Sequence, residues 1–245
     1  MKTLKIIRNC LDPKGEKCLP NEFGLLCWNV HKQNLGYRFD HFLKRVLEDY
    51  TIDLLALQEV KITSNTSSLL DSFHFVFAPN IRFINHMYGV FNGSRIPEYE
   101  SFSLLSSHRE SMIQTRKSAI FSTYTLHNGE MLLLVNLHAI NFRATKVYHK
   151  ELEMIFDSIR HHHGPIILTG DFNSWNKQRI SFLMKLSGSL ELQNSEIEHA
   201  HLIKSFMGYK LDHIFYRGLE VVESYAIDVK KLSDHNALYA RFRAI

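Results

Sequence analysis

Nine short apolar runs, each five to eight residues long and most of them rich in β-branched or aromatic residues, constrain this 245-residue chain more than any other feature. They are Gly24–Val30, Asp53–Gln58, Phe73–Phe77, Lys117–Tyr124, Met131–His138, Pro165–Gly170, Leu211–Tyr216, Glu220–Ala226 and Ala237–Phe242. Runs of that length, bounded by turn residues, read as strands. Helical periods fall between some of them. Tyr37–Tyr50 places Phe39, Phe42, Leu43, Val46 and Leu47 on one face, and Ala144–His161 does the same with Val147, Tyr148, Leu152, Ile155, Phe156 and Ile159. Asn176–Leu186 is a third candidate helix. Strand–helix–strand passages mixed with hairpin-like strand pairs predict two sheets packed face to face with helices outside. A single domain over residues 22–245 fits this pattern better than two, with residues 1–21 as an N-terminal leader.

The composition is that of an ordinary globular chain, 45% apolar and 22% charged, so a sizeable core is expected. A formal charge of +4 attracts polyanions mildly, without the basic stripe that would by itself identify a nucleic-acid-binding module. The longest apolar run, Met131–Val135, is far below the ~20 residues a membrane helix needs. The opening MKTLKIIRNC lacks the apolar core of a signal peptide. Three cysteines, Cys10, Cys18 and Cys27, form neither a disulfide framework nor a zinc pattern. Together these features predict a cytoplasmic chain with no membrane anchor and no obligate protein partner.

The polar residues that carry information stand where the predicted strands end, the places from which rigid elements deliver side chains to a cleft. In PIILTGDFNSW, Asp171 and Asn173 follow a buried strand two residues apart, which along an extended segment puts both on one side. They could orient a water and hold a phosphoryl oxygen, or form an Asx-type turn that caps the next helix. KLDHIFY places Asp212 in an apolar strand, where a carboxylate is costly without a partner. His235, in LSDHNAL beside Asp234, is the partner chosen here, and an Asp–His pair raises the imidazole pKa and fixes its tautomer. His213 would then face the other way. Glu59 ends LLALQEV after a run of apolar positions and suits a hard cation such as Mg²⁺; a helix cap or surface ion pair is the structural alternative. In MLLLVNLHAINF, Asn136 and His138 emerge together at a strand end.

The ordered set WNV, LQEV, SRIP, VNLHAIN, TGDFNSW, LDHIF and SDHNAL, from about Leu25 to Phe242, resembles the endonuclease/exonuclease/phosphatase superfamily. That superfamily includes pancreatic deoxyribonuclease, abasic-site endonucleases, sphingomyelinases and inositol polyphosphate phosphatases. The wording VNLHAINF, HHHGPIILTGDFNSW and LDHIFYRGL is most similar to the bacterial YafD-like branch. The resemblance implies a DNase I-like four-layer α/β sandwich. It also implies Mg²⁺ or Mn²⁺ held by Glu59 with Asn29, with Asp234 supporting the metal or its waters. Asp171 would orient or deprotonate the attacking water, and Asn173 would hold the phosphate. His235 would contact the scissile phosphate with Asp212 fixing its ring, and His138 would act near the leaving group. Arg95, Asn136 and Arg143 are the candidate substrate contacts.

The expected function is therefore a metal-dependent phosphoesterase, with a nuclease-type phosphodiesterase placed first and nucleic acid among the candidate substrates. A phosphatase or phosphodiesterase of a lipid headgroup, inositol phosphate or nucleotide is the alternative, and a catalytically silent binding protein comes last. Two departures bear on this. His31 stands where some nuclease relatives carry an acidic residue, which weakens a second metal site and abasic-site specificity. Arg95 lies in a stretch, Phe83 to Glu110, that the pattern does not otherwise place.

Overall fold

A computed structural model describes residues 6–9, 11, 16–63, 69–110 and 116–245 of the chain. Period-2 alternation organises it. In β2 (Glu22–Asn29) Leu25 and Cys27 point one way, into the packing between two sheets, while Leu26 and Trp28 point the other way against α1 (Tyr37–Asp49). Each strand buried on both faces reads as a continuous apolar run for this reason. With β1 (Ile7–Asn9), β3 (Leu54–Thr63), β4 (His74–Arg82), β5 (His86–Ser94), β14 (Leu219–Ile227) and β15 (Ala237–Ala244), β2 forms a seven-stranded sheet in the order β1-β4-β5-β3-β2-β15-β14.

A six-stranded sheet runs β10-β13-β9-β8-β7-β6, built from β6 (Glu100–Leu105), β7 (Ser118–Thr125), β8 (Met131–His138), β9 (Ile166–Asp171), β10 (Gln193–Asn194) and β13 (Asp212–Arg217). A small ribbon of β11 (Ser205–Phe206) and β12 (Tyr209–Lys210) stands apart. Leu25, Ala56, Leu134, Ile167, Ile214 and Ala240 fill the space between the sheets. Outside the second sheet, α2 (Thr145–Ile159) and α3 (Lys177–Ser189) cover Phe121, Val135 and Leu168. The layers are helix, sheet, sheet, helix, the four-layer sandwich the sequence predicts.

All nine expected strands and three expected helices are present within a few residues of their expected ends. The unplaced stretch from Phe83 is β5 and β6, the first closing a hairpin with β4 and the second an edge strand against β7. The segment expected as a leader is tied to the domain at two points. Ile7–Asn9 pairs with Phe75–Phe77, and Leu19 is fully buried with its N–H on the Thr125 carbonyl. Asp12 to Gly15 and Cys10 lie outside the described residues. Cys18 and Cys27 are free thiols, and no helix among the described residues is long and apolar enough to cross a membrane.

The register brings the informative strand ends to one edge of the sandwich. Parallel pairing sets Asn29 beside Gln58 and His138 beside Asp171, and antiparallel pairing sets Asp212 opposite Asp171. Gly170 makes the last step possible. At φ 138 its position is hostile to a side chain, and an added Cβ would lie 1.9 Å from the Leu137 carbonyl oxygen. Only glycine lets β9 run this close to β8 just before Asp171.

Candidate active site

Glu59 reaches the cleft through a bulge. Leu57 pairs with Phe91 and Val60 with Gly89, so Gln58 and Glu59 together oppose the one residue Val90. The extra residue is accommodated by a left-handed backbone at Glu59, φ 55, and the strand bends so that the carboxylate leaves the sheet. Asn136 holds that bend from the other sheet. Its Oδ1 accepts from Gln58 Nε2 at 2.7 Å, and its Nδ2 donates to the carbonyls of Leu57 (3.2 Å) and Phe91 (2.9 Å). Asn136 is fully buried, so the expectation that it touches substrate is corrected: the site it serves is the backbone under Glu59.

Around Glu59 the contacts are ionic and loose. Lys32 Nζ lies 3.5 Å from Oε2, and Lys117 Nζ and His138 Nε2 each lie 3.9 Å from Oε1. Oε2 is buried and takes no hydrogen bond from any described residue. Lys117 donates to His138 Nε2 at 2.9 Å and also faces Glu110 at 3.7 Å. Burial, followed by the charges of Lys117, His235 and Lys32, pushes the His138 pKa well below the usual imidazole value, so this ring is neutral and accepts from the lysine.

Asp171 lies at the centre. Asn29 Nδ2 donates to its Oδ2 at 3.1 Å, and the Asn173 N–H donates to its Oδ1 at 3.0 Å. The same Oδ2 is 3.5 Å from His138 Nε2 and 3.8 Å from His235 Nε2. Burial pushes its pKa up to about 6, with Asp212 adding to the rise against the opposing pull of His235 and Lys117. Asn173 adopts φ 48 and ties its amide to the Ala139 carbonyl at 3.0 Å, which turns the chain sharply after β9.

Asp212 and His235 form the expected pair: Nδ1–H donates to Oδ2 at 2.8 Å. Burial alone would discharge the ring. Asp212, by charge and hydrogen bond, together with Asp171 and Asp234, outweighs it and lifts the His235 pKa to about 9. The ring is an imidazolium at neutral pH with its Nε2–H directed into the cleft. The loop carrying it is pinned by Trp28 Nε1 on the His235 carbonyl (2.9 Å) and Ser233 Oγ on the Asn29 carbonyl (2.7 Å). His213, next to Asp212 in sequence, faces the other way and is hydrogen-bonded to Ser174 at 3.1 Å.

Oxygen ligands for a cation fit one part of this cleft. The buried, unbonded Oε2 of Glu59 is the donor a hard cation prefers, and Asn29 stands on the adjacent strand. Asp234 is half-exposed and paired with Lys204 at 2.7 Å, which holds its pKa below the usual carboxylate value even though burial, the largest single influence, works in the other direction. It could reach a cation through water. The carboxylates and ring of Asp171, Asp212 and His235 also approach within 4.8 Å of one another, but the charged ring already spends Nδ1 on Asp212, so the arrangement suits holding a proton better than holding an ion.

Two expected substrate contacts lie elsewhere. Arg95 follows β5 at the end that pairs Ser94 with Leu54, the opposite end of β3 from Glu59, and its guanidinium sits 4.2 Å over the Phe73 ring. The antiparallel direction of β5 accounts for this displacement. Arg143 does not line the cleft; its Nε donates to the Arg109 carbonyl at 2.6 Å. Lining residues not singled out by the sequence are Glu110, Lys204, Asn141, Phe206 and Leu211, while Lys117, one of several basic residues near the strand ends that could meet a phosphate, does line the cleft. In the sequence Lys117, at the start of an apolar strand, reads either as a phosphate contact or as part of a solvated basic surface. Arg179, fully buried, donates to the carbonyls of Ile140, Asn141, Arg143 and Asn173 and thereby fixes two of the cleft's loops.

Comparison with known proteins shows the family and the fold. The model of the Endonuclease/Exonuclease/phosphatase family matches residues 26–235. The UPF0294 protein YE0917 of Yersinia enterocolitica is 32% identical over 238 residues, covering 94% of this chain and 88% of that one. A UPF0294 protein of Vibrio cholerae is 32% identical over 230 residues, covering 93% and 80%. Among solved structures, an endonuclease/exonuclease/phosphatase family protein from Leptotrichia buccalis superposes with a TM-score of 0.69 at 19% identity, covering 90% of this chain and 99% of its own. The human Nocturnin catalytic domain with bound sulfate gives 0.65 at 20% identity, covering 92% and 95%. D. rerio TDP2 complexed with single strand DNA product gives 0.66 at 17%, covering 91% and 99%. At these identities the solved structures speak for the fold alone.

Proposed function

The chain belongs to the endonuclease/exonuclease/phosphatase family, and from that premise we propose that it is a divalent-cation-dependent phosphodiesterase of nuclease type, cleaving P–O bonds with an activated water. The observation that carries this reading is the focus on one oxygen. Asp171 Oδ2 lies within 3.1–3.8 Å of an amide, a neutral imidazole and an imidazolium that come from three other strand ends. Phosphoryl transfer needs little covalent help from a protein and much positioning and charge neutralisation, which is what such a focus supplies.

In this reading Mg²⁺ or Mn²⁺ is held by Glu59 with Asn29, and Asp234 supports it through water. When bound, such a cation supplies positive charge beside the reacting phosphoryl group and makes a nearby water easier to deprotonate. The chain's own groups do the rest. Asp171, oriented by Asn29 and the Asn173 N–H, accepts the proton of the attacking water. With a pKa near 6 it is ionised at neutral pH yet basic enough to serve. The Nε2–H of His235 donates to a non-bridging phosphoryl oxygen and stays charged because Asp212 holds Nδ1. The Asn173 side chain stands by the same oxygens. Lys117, bonded to neutral His138, neutralises charge that develops toward the leaving group.

A hydrolysis panel tests this: supercoiled DNA, single-stranded DNA, RNA, inositol phosphates and phospholipid headgroup esters, each with Mg²⁺ or with chelator. The reading expects cation-dependent cleavage of a polynucleotide. Cleavage of the inositol or lipid esters alone would move the chain to the alternative branch, and a folded protein inert toward every member would refute the proposal.

A further inference from the structure

Beyond Glu59, β3 continues to Thr63, paired with the start of β5 at His86, and β4 continues to Arg82. The bulge restores alternation so that Val60 and Ile62 pack on the α1 side, and Lys61 therefore points to the face continuous with the cleft. Tyr88 pairs with Lys61 and His86 with Thr63, and both rings lie on that same face, because Val90 does while Phe91 and Met87 pack opposite. At the β4–β5 turn Phe83 stacks on His86 (centroids 4.7 Å apart, interplanar 24°) and is 55% exposed, with Ile84 fully exposed beside it.

Cations interleave with these rings. Lys32 Nζ lies 5.6 Å and Lys61 Nζ 6.0 Å from the Tyr88 centroid. Lys32 also stands 3.5 Å from Glu59, so the platform and the cleft share a residue. A membrane-facing tip would place apolar side chains together and cations at the rim. Here Phe83 and Ile84 are exposed at the turn, but both ammonium groups sit by the Tyr88 ring, which lies 6.1 Å from Phe83, and Lys32 links that ring to Glu59 in the cleft. Alternating charge and ring faces suit a chain that alternates phosphates and bases.

We propose that this basic–aromatic platform, centred on Lys61, Tyr88 and Phe83, binds the unpaired strand of a polynucleotide as it leaves the cleft on the Glu59 side, with phosphates on Lys32 and Lys61 and a base stacked on Phe83. The inference rests on the phosphodiesterase reading for the cleft itself and adds where and in what form the substrate lies. An unpaired strand is required because a base in a duplex has no face free to stack on Phe83.

The test is equilibrium binding of the full chain, in chelator so that nothing is cleaved, to labelled single-stranded oligonucleotides of four and of twelve nucleotides and to a twelve-base-pair duplex. Wild-type protein is expected to bind the longer single strand more tightly than the shorter one or the duplex. Phe83→Ala should weaken it by on the order of 10-fold, the contribution of one stacked base. Lys61→Ala should flatten the dependence of log affinity on log salt by about 0.7, the contribution of one phosphate on a single strand. Unchanged binding in a folded Phe83→Ala, Lys61→Ala double variant would overturn the inference. So would tighter, Phe83-dependent binding to phosphatidylglycerol vesicles than to the oligonucleotide. Wild-type hydrolysis of bis(p-nitrophenyl) phosphate with Mg²⁺, measured in parallel, separates the two claims. Turnover without oligonucleotide binding sinks the platform and spares the cleft, and Phe83-dependent binding without any turnover does the reverse.

Discussion

The two walls of the cleft are built differently. On the second sheet, Asp171 and Asp212 are held by short, directional hydrogen bonds, 3.0 Å from the Asn173 N–H to Asp171 and 2.8 Å to Asp212 from His235, which reaches across from the loop before β15. On the first sheet, Glu59 has only ion pairs of 3.5–3.9 Å and one buried oxygen without a hydrogen bond. The hydrogen bonds of the second-sheet wall are made within the protein. The Glu59 wall keeps one buried oxygen as an acceptor without a donor, which suits a hard cation. Under the proposed function this contrast gives proton handling to one wall and cation binding to the other, and substitutions on either side can break that division.

The largest effect is expected on the proton-handling wall. His235→Ala or Asp171→Ala should lower kcat for phosphodiester cleavage by about 10³-fold or more with the fold retained, because each removes an interaction that grows in the transition state. Near-normal turnover in folded protein would void the assigned roles. Glu59→Gln should instead raise the Mn²⁺ concentration needed for half-maximal activity by roughly 10- to 100-fold, with binding itself followed by electron paramagnetic resonance. A normal Mn²⁺ affinity would place the cation elsewhere.

Asn136→Ala tests the backbone under the weaker wall. It removes three buried hydrogen bonds and should cost on the order of 2–3 kcal/mol in denaturant unfolding while also weakening cation binding. Loss of stability with unchanged cation affinity would show that the bulge does not need this amide. A smaller effect is expected from pH. Asp171, raised to about 6, becomes a competent base as pH rises through that value, and His235, raised to about 9, loses its proton as pH climbs through it. The profile of kcat/KM should be a bell with limbs near 6 and 9, and Asp212→Asn should move the alkaline limb down, since the charge that holds the proton is gone. An alkaline limb that stays in place would assign it to another group. Arg95→Ala, just after β5 and away from the cleft, should change activity by less than about 2-fold.

The sandwich was legible because its strands are buried on both faces and so are marked by continuous apolar runs such as Ile166–Leu168, while the helices carry a one-sided stripe. The edge pieces were not. Glu100–Leu105 alternates buried and exposed residues with three serine and glutamate positions among six, and His86–Ser94 contains two glycines, so neither reads as an apolar run. Polar residues at the ends of apolar strands pointed to Glu59 and Asp171, and a carboxylate inside one pointed to Asp212; the structure brings Glu59 and Asp171 into one cleft and pairs Asp212 with His235 beside it. The same signal misassigned Asn136, because a buried amide that holds a backbone bend and an amide that faces a substrate look alike in sequence. Arg95 was misplaced by strand direction, which no single segment encodes. Glu110 belongs to the cleft through its contacts with the Asn141 N–H and with Lys117, which no local pattern in the sequence announces.

Hydrolysis in ¹⁸O-enriched water tests the central claim most directly, with cation present and the wild-type chain compared with Asp171→Asn. The account predicts one labelled oxygen in the phosphate-bearing product of the wild type, and the loss of nearly all product in the variant. Label in the alcohol product would mean that water attacks carbon, and equal labelled phosphate from Asp171→Asn would mean that this carboxylate does not handle the proton; either result contradicts it.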